Sequence, residues 1–181
     1  MAPERSFDAW RPIFRSSFVG WDISPQAISR AQTKTKANLS YIEGDAFASD
    51  AHYDVAMAVD VFEHVDDYLG FIRKLKAIAE YKVYHIPLDM SVQAVLRKTK
   101  LQNCRRELGH LHYFNKETAL ATLTCTGHEI VDYRYTSGAL ELASQSFLQR
   151  TANIPRKIVF PLAPDLTVRL LGGFSLLVLC K

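Results

Sequence analysis

An α/β fold with a doubly wound, mostly parallel sheet is predicted for this 181-residue chain by three observations. Short apolar runs alternate with segments of helical spacing, as crossover connections between parallel strands require. Runs at Ser17–Asp22, Leu39–Asp45 and Asp54–Asp60 each end in an aspartate. Acidic residues at the carboxyl ends of neighbouring parallel strands lie where open α/β sheets bind ligands, so this repetition predicts a pocket that grips hydroxyls and amines. Finally, a hydrophobic content of 48% over this length can fill one core, and a single domain spanning residues 1–181 is expected.

The elements follow in order. After the strand ending at Asp22, Ser24 can cap a helix and Pro25 suits its first turn, with Ala27, Ile28 and Ala31 on one face as far as Lys36. Leu39–Glu43 reads as the next strand. Tyr53–Val59 is a third, nearly all apolar, as a strand covered on both faces should be. Asp66 or Asp67 starts a helix to about Tyr81 with Leu69, Ile72, Leu75 and Ile78 as its apolar stripe. Val83–Ile86 is a strand stopped by Pro87. Ser91–Lys100 is predicted helical with Val92, Val95 and Leu96 inward, and Lys116–Thr124 helical with Ala119, Leu120 and Leu123 inward. Glu129–Tyr135 is a strand, Leu140–Arg150 a helix and Leu166–Leu171 a shorter helical piece. The run from Phe174, after Gly172 and Gly173, is a buried last strand that makes an antiparallel edge with its predecessor.

Composition narrows the function. A formal charge of +3 and a pI near 8.7 fall short of a dedicated nucleic-acid surface, so no nucleic-acid partner is expected. Arg97, Lys98, Lys100, Arg105 and Arg106 read as a solvated helix face and loop. Cys104, Cys125 and Cys180 are odd in number and far apart, which argues against a disulfide framework and for a reducing, cytoplasmic setting. Neither a targeting segment at the start nor a transmembrane segment is read from the sequence.

Four segments in order carry a family resemblance: Phe18–Ile28, Ile42–Phe47, Tyr53–Val65 and Gly109–Phe114. Together they resemble the class I S-adenosylmethionine-dependent methyltransferases over roughly residues 18–135. The resemblance implies a Rossmann-like fold, S-adenosylmethionine as cofactor and methyl transfer as the activity. It implies that Asp22, followed by Ile23, receives the ribose hydroxyls, for which a carboxylate has two acceptor oxygens. Asp45 would accept from the adenine amine, with the Ala46 N–H toward a ring nitrogen and Phe47 beside the ring. Asp60 would meet the methionine ammonium or the substrate. Glu63 and His64 follow on the same turn and are the expected catalytic pair, since a carboxylate and an imidazole can take a proton from an oxygen or nitrogen nucleophile. Asp60, Glu63 and His64 with His110 or His112 have the chemistry to ligate Mg²⁺, Mn²⁺ or Zn²⁺, but one sequence cannot pair four ligands and no metal is expected. His110 and His112 are expected to flank a substrate-side loop, with Tyr113 and Phe114 packing under it.

The chain departs from the family pattern before Asp22. Met1 to Val19 contains no glycine, whereas the family places its first strand and a glycine-rich loop there, so both are expected to be missing and the form truncated. Asp8–Ser17 would then be the end of the helix that follows that loop. Strands deprived of a central neighbour are expected to favour self-association. The acceptor is expected to be a small or lipid-like molecule, with residues 137–171 as a lid or substrate-side insertion whose apolar faces come from residues such as Phe147, Ile158 and Leu162. The rival readings are a nicotinamide-dependent dehydrogenase, which lacks the same glycines, and a non-catalytic methyltransferase-like binding module or inactive remnant.

Overall fold

The computed structural model describes residues 16–97, 99–137 and 147–181, which fall into two compact units, one ending at Ala51 and one running from His52 to Lys181. The expected helix end over residues 8–15 and the expected helix over residues 140–146 lie outside the described residues.

In the first unit, β1 (Phe18–Asp22) and β2 (Leu39–Glu43) pair in parallel, in a register that sets Phe18 opposite Leu39 and Asp22 opposite Glu43. Helix α1 (Pro25–Gln32) connects them. Ser24 starts it as predicted, its Oγ accepting from the Ala27 N–H at 3.3 Å, and Ile28 is the side chain it buries. The helix stops at Gln32 rather than at Lys36, because the amides of Lys34 and Thr35 fold back onto the carbonyls of Ala31 and Gln32 in a tightened turn. Gly20 is required by packing: a Cβ there would stand 2.7 Å from Cδ1 of Tyr41, its partner across the pair.

The second unit is a four-stranded sheet in the order β3 (Tyr53–Val59), β4 (Ala79–Pro87), β6 (Ser175–Cys180), β5 (Ile130–Thr136). β3 and β4 pair in parallel, and β6 runs antiparallel to both β4 and β5. The last two strands are therefore antiparallel as predicted, but β6 is internal and β5 holds the edge. Composition explains the choice: Leu176, Val178 and Cys180 of β6 are buried, whereas β5 brings Asp132 and Arg134, charges that suit an exposed edge. β3 departs from expectation too, since Val55, Met57 and Val59 are 50%, 65% and 50% exposed rather than covered.

Helix α2 (Tyr68–Ile78) is capped by Asp67, whose Oδ1 accepts from the Gly70 N–H at 2.8 Å, and it buries Ile72 and Leu75 of the predicted stripe. β4 begins at the next residue, four earlier than predicted. The polar Glu80 and Lys82 disguise its alternation; Lys82 is buried, with its ammonium donating to the carbonyls of Ala79 and Glu80. Helix α3 (Val92–Leu96) is shorter than expected and turned the other way, with Val92, Val95 and Leu96 exposed and Ala94 buried. Its start fixes that rotation: the Ser91 Oγ caps the Ala94 N–H at 3.2 Å, and Gly172 presses so closely on Ser91 that an added Cβ would reach Oγ at 2.5 Å. A short helix α4 (Lys100–Asn103) runs into a π turn over Cys104–Leu108 that ends at Gly109 with φ 78°. Helix α5 (Lys116–Cys125) has an Asn115–Thr118 capping box and buries Ala119 and Leu123. Helices α6 (Phe147–Val159) and α7 (Pro164–Leu171) follow, and α7 packs on α3.

The core lies around Phe62 and Tyr84, both fully buried, with rings edge to face at 6.1 Å. The Tyr84 hydroxyl lies 2.8 Å from His128 Nε2, and Thr126 Oγ1 stands 3.1 Å from His128 Nδ1. Burial, reinforced by the nearby Lys82 and Lys76 charges, lowers the His128 pKa to about 4. In the unfolded chain the same group titrates near 6.5. Between these values the unfolded chain binds a proton that the folded one refuses, so His128 contributes stability above about pH 6.5 that is lost as pH falls to about 4. Urea unfolding at pH 7 and pH 4.5 should show a loss on the order of 1–3 kcal/mol from this group, and His128→Gln should flatten that window.

Candidate functional site

Each predicted acid stands at a strand end. Asp22 closes β1 and is exposed; its Oδ1 accepts from the Ser24 N–H at 2.8 Å, and its carbonyl accepts from the Gly44 N–H at 2.9 Å. Asp45 follows β2 and caps a 3₁₀ turn over Ala46–Ala48, its Oδ1 accepting from the Phe47 N–H at 2.9 Å. Gly44 makes the bend with φ 146°. Each turn thus employs one carboxylate oxygen and leaves Oδ2 as an acceptor for a hydroxyl or an amine. The side chain of Ile23 is largely exposed beside Asp22. On chemistry, these acceptors fit the hydroxyls and the amine of an adenosine.

In the second unit, Asp60 leaves β3 with φ 49°, a left-handed conformation that aspartate tolerates better than most residues. Both ends of it are held by one neighbour: its amide donates to the His85 carbonyl at 3.0 Å, and its Oδ1 lies 2.7 Å from His85 Nδ1. His85 Nε2 in turn lies 2.8 Å from Thr136 Oγ1. His85 was not singled out in the sequence, where it is one polar residue in an apolar strand.

Phe62–His64 form a 3₁₀ turn, and the fully buried Phe62 ring packs edge to face on Phe114 at 5.3 Å. The turn carries Glu63 into the interior. Its backbone carbonyl accepts from the amides of Leu111 at 2.8 Å and His112 at 3.2 Å, yet neither carboxyl oxygen has a hydrogen-bond partner among the described residues. Desolvation raises its pKa to about 7, with the Asp60 charge adding to the rise. His64 is half-exposed and sends Nδ1 to the Gly109 carbonyl at 3.2 Å, while its Nε2 faces Glu63 Oε1 at 3.8 Å.

His110 is buried, its ring edge to face with His64 at 4.9 Å and its Nδ1 2.5 Å from Asp89 Oδ2. Cys104 Sγ lies 3.9 Å from Asp89 Oδ1. The histidine loop therefore divides: His110 joins Glu63 and His64, whereas His112 Nε2 donates to the Val65 carbonyl at 2.9 Å. Phe114 packs beneath the loop as expected, and the Tyr113 hydroxyl donates to the Leu101 carbonyl at 3.0 Å. Of the four-ligand set considered from sequence, Glu63, His64 and His110 come together with ligand atoms within 4.8 Å of one another, a grouping that could hold a metal ion. Asp60 is committed to His85 instead. Asp89 was missed, although it follows the end of a parallel strand just as the other acids do.

Residues 5–132 match the methyltransferase-domain family, Methyltransf_23, and the chain belongs to it. No curated protein matches the sequence. Among solved structures, the chain is similar to an S-adenosylmethionine-dependent methyltransferase from Mesorhizobium loti (18% identity, 96% of this chain and 84% of that one, TM-score 0.54). It is also similar to the magnesium protoporphyrin IX methyltransferase of Synechocystis with bound SAH (15%, 90% and 62%, TM-score 0.54). A third is a mycolic acid cyclopropane synthase complexed with SAH (11%, 98% and 74%, TM-score 0.60). At these identities the likeness is one of fold, and it agrees with the Rossmann-like, mostly parallel α/β architecture. No helix among the described residues is long and apolar enough to cross a membrane.

A carboxyl group buried without a donor is destabilising, so Glu63→Met, similar in length and apolar, should raise stability in chelator-treated protein by about 1–3 kcal/mol. Thermal melts of the two proteins check this; a marked loss would mean that Glu63 holds the turn together.

Proposed function

We propose that this protein transfers a methyl group from S-adenosylmethionine to a small-molecule or lipid-like acceptor. The observation that carries the reading is the placement of Asp22 and Asp45 at the carboxyl ends of two paired parallel strands, in a chain of the methyltransferase-domain family. When bound, S-adenosylmethionine supplies a methyl group on a sulfonium. Asp22 would take the ribose hydroxyls through the oxygen its turn does not use, with Ile23 alongside. Asp45, the Ala46 N–H and Phe47 would hold the adenine; the methionine ammonium is the role that the family resemblance gives Asp60. Glu63 and His64 would take the proton from the acceptor atom. Methyl transfer is an in-line displacement, so holding the acceptor at attack distance and excluding water is the main task of these side chains.

Two observations support the acceptor class. Proteins of similar fold are named for action on a porphyrin and on mycolic acid. Residues 137–171 serve in this reading as the lid, and their described part exposes Ile158, Leu162, Leu166 and Leu170. A second reading, a methyltransferase-like domain that binds a protein partner, is favoured by the open apolar residues of β3. A structure of similar fold (TM-score 0.60) is named as the complex of a Haloferax volcanii methyltransferase activator with its putative methyltransferase.

Calorimetry with S-adenosylhomocysteine separates the two. Saturable binding is expected, with Asp22→Ala weakening it about tenfold or more, since losing a charge-assisted pair of hydrogen bonds costs about 1.5–3 kcal/mol. Asp50→Ala should leave binding unchanged. Equal affinities in the two variants would remove Asp22 from the site, and no heat in the wild type would favour the partner-binding reading.

A further inference from the structure

We propose that Glu63, His64 and His110 form a binding site for one divalent transition-metal cation. The inference rests on the reading above only in setting the ion beside the acceptor; the site itself stands on its own geometry. All three residues belong to the unit from His52 to Lys181, and their ligand atoms lie within 4.8 Å of one another. A tetrahedral ion bonded at about 2.1 Å holds its ligands about 3.4 Å apart. The His64 Nε2 to Glu63 Oε1 distance of 3.8 Å is close to that span, and small side-chain rotations close the triangle.

Each imidazole is already oriented for ligation. The His64 Nδ1–H is directed at the Gly109 carbonyl, which leaves the Nε2 lone pair turned toward Glu63. The His110 Nδ1 is held by Asp89, a carboxylate–histidine pair of the kind that fixes metal-bound imidazoles by their far nitrogen and raises their basicity. Glu63 supplies the independent observation. Its side chain is wholly buried, and both oxygens lack a hydrogen-bond partner among the described residues, a condition that buried carboxyls seldom tolerate without an ion or a water.

The ligand types select the ion. One carboxylate oxygen and two imidazole nitrogens suit Zn²⁺, Mn²⁺, Fe²⁺ or Co²⁺ better than Ca²⁺ or Mg²⁺, which prefer all-oxygen surroundings. Charge agrees as well: the Glu63 ligand and the Asp89 behind His110 together offset two positive charges. Three protein ligands leave positions open, as in sites where a metal binds and polarises a substrate oxygen. The half-exposed His64 puts that open side within reach of solvent.

The test uses the full chain, stripped with a chelator and titrated with Co²⁺ alone. The visible absorption of the bound ion should saturate at one equivalent, and Zn²⁺ should abolish it by competition. Glu63→Gln and His110→Ala should each weaken binding at least tenfold. Asp89→Asn, which leaves all three ligands in place, should weaken it by about 10- to 100-fold. His52→Ala, outside the cluster, should bind as the wild type does. A melting temperature raised by Zn²⁺ in the wild type but not in Glu63→Gln is expected, and it also shows whether that variant is folded. Absence of a saturable Co²⁺ spectrum in the wild type, or equal affinities in wild type, Glu63→Gln and Asp89→Asn, would overturn the site. Because the titration contains neither cofactor nor acceptor, its failure leaves the methyl-transfer reading intact, and failure to bind S-adenosylhomocysteine leaves the metal site intact.

Discussion

Phe62 is the fixed point of the unit from His52 to Lys181. Its ring is wholly buried, edge to face with Tyr84 on β4 and with Phe114 beyond the histidine loop. Seating that ring forces the chain leaving β3 into a tight 3₁₀ turn, and in such a turn successive side chains point about a third of a revolution apart. With Phe62 in the core, Glu63 enters the protein beside it and His64 turns outward. The Glu63 carbonyl then receives the amides of Leu111 and His112, which ties the loop carrying His110 to the same turn. One packing decision thus places all three members of the cluster.

Much of this was legible in the sequence where the signal is local. β1, β2 and β3 each consist of a short apolar run closed by a polar stop, and the caps at Ser24 and Asp67 act on amides three residues away. What escaped is non-local. The inward face of α3 depends on Gly172, some eighty residues onward, pressing on Ser91. Likewise, the partners of Asp60, His110 and His64 are 25, 21 and 45 residues away, beyond the reach of any periodicity. The exception is β4, whose early start is disguised locally by Glu80 and by a lysine that bonds its ammonium to carbonyls two and three residues back. Asp89 is the instructive omission, because it follows a parallel strand as Asp22, Asp45 and Asp60 do. The intervening Pro87 and Leu88 concealed the pattern.

These strand-end acids are put to two different uses. Asp22 and Asp45 each spend one oxygen on an amide within two residues, which fixes the carboxylate relative to its own turn while the other oxygen stays available to a ligand. Asp60 and Asp89 each hold the Nδ1 of a histidine from a distant part of the chain. The first arrangement suits the recognition of hydroxyls and amines, since an exposed acceptor oxygen on a rigid turn discriminates by position. The second orients an imidazole: His85 then turns its Nε2 to Thr136 Oγ1 at 2.8 Å, and His110 sets its ring edge to face with that of His64.

Glu63 brings these strands of argument together. A glutamate whose backbone alone is needed to hold the histidine loop could be replaced by an apolar residue of similar length, and the fold would lose a desolvated carboxyl that raises its free energy. Polar groups left without partners in an otherwise satisfied interior are characteristic of places where folding is not the only constraint. In the same unit the other buried polar side chains of the core are matched: Tyr84 with His128, His128 with Thr126, and Lys82 with two carbonyls. The contrast shows that this sequence satisfies buried polarity where only stability is at stake. It leaves Glu63 unsatisfied beside two histidines whose Nδ1 atoms are already tied down, with ligand atoms of all three within 4.8 Å of one another, a grouping that a shared positive centre would satisfy.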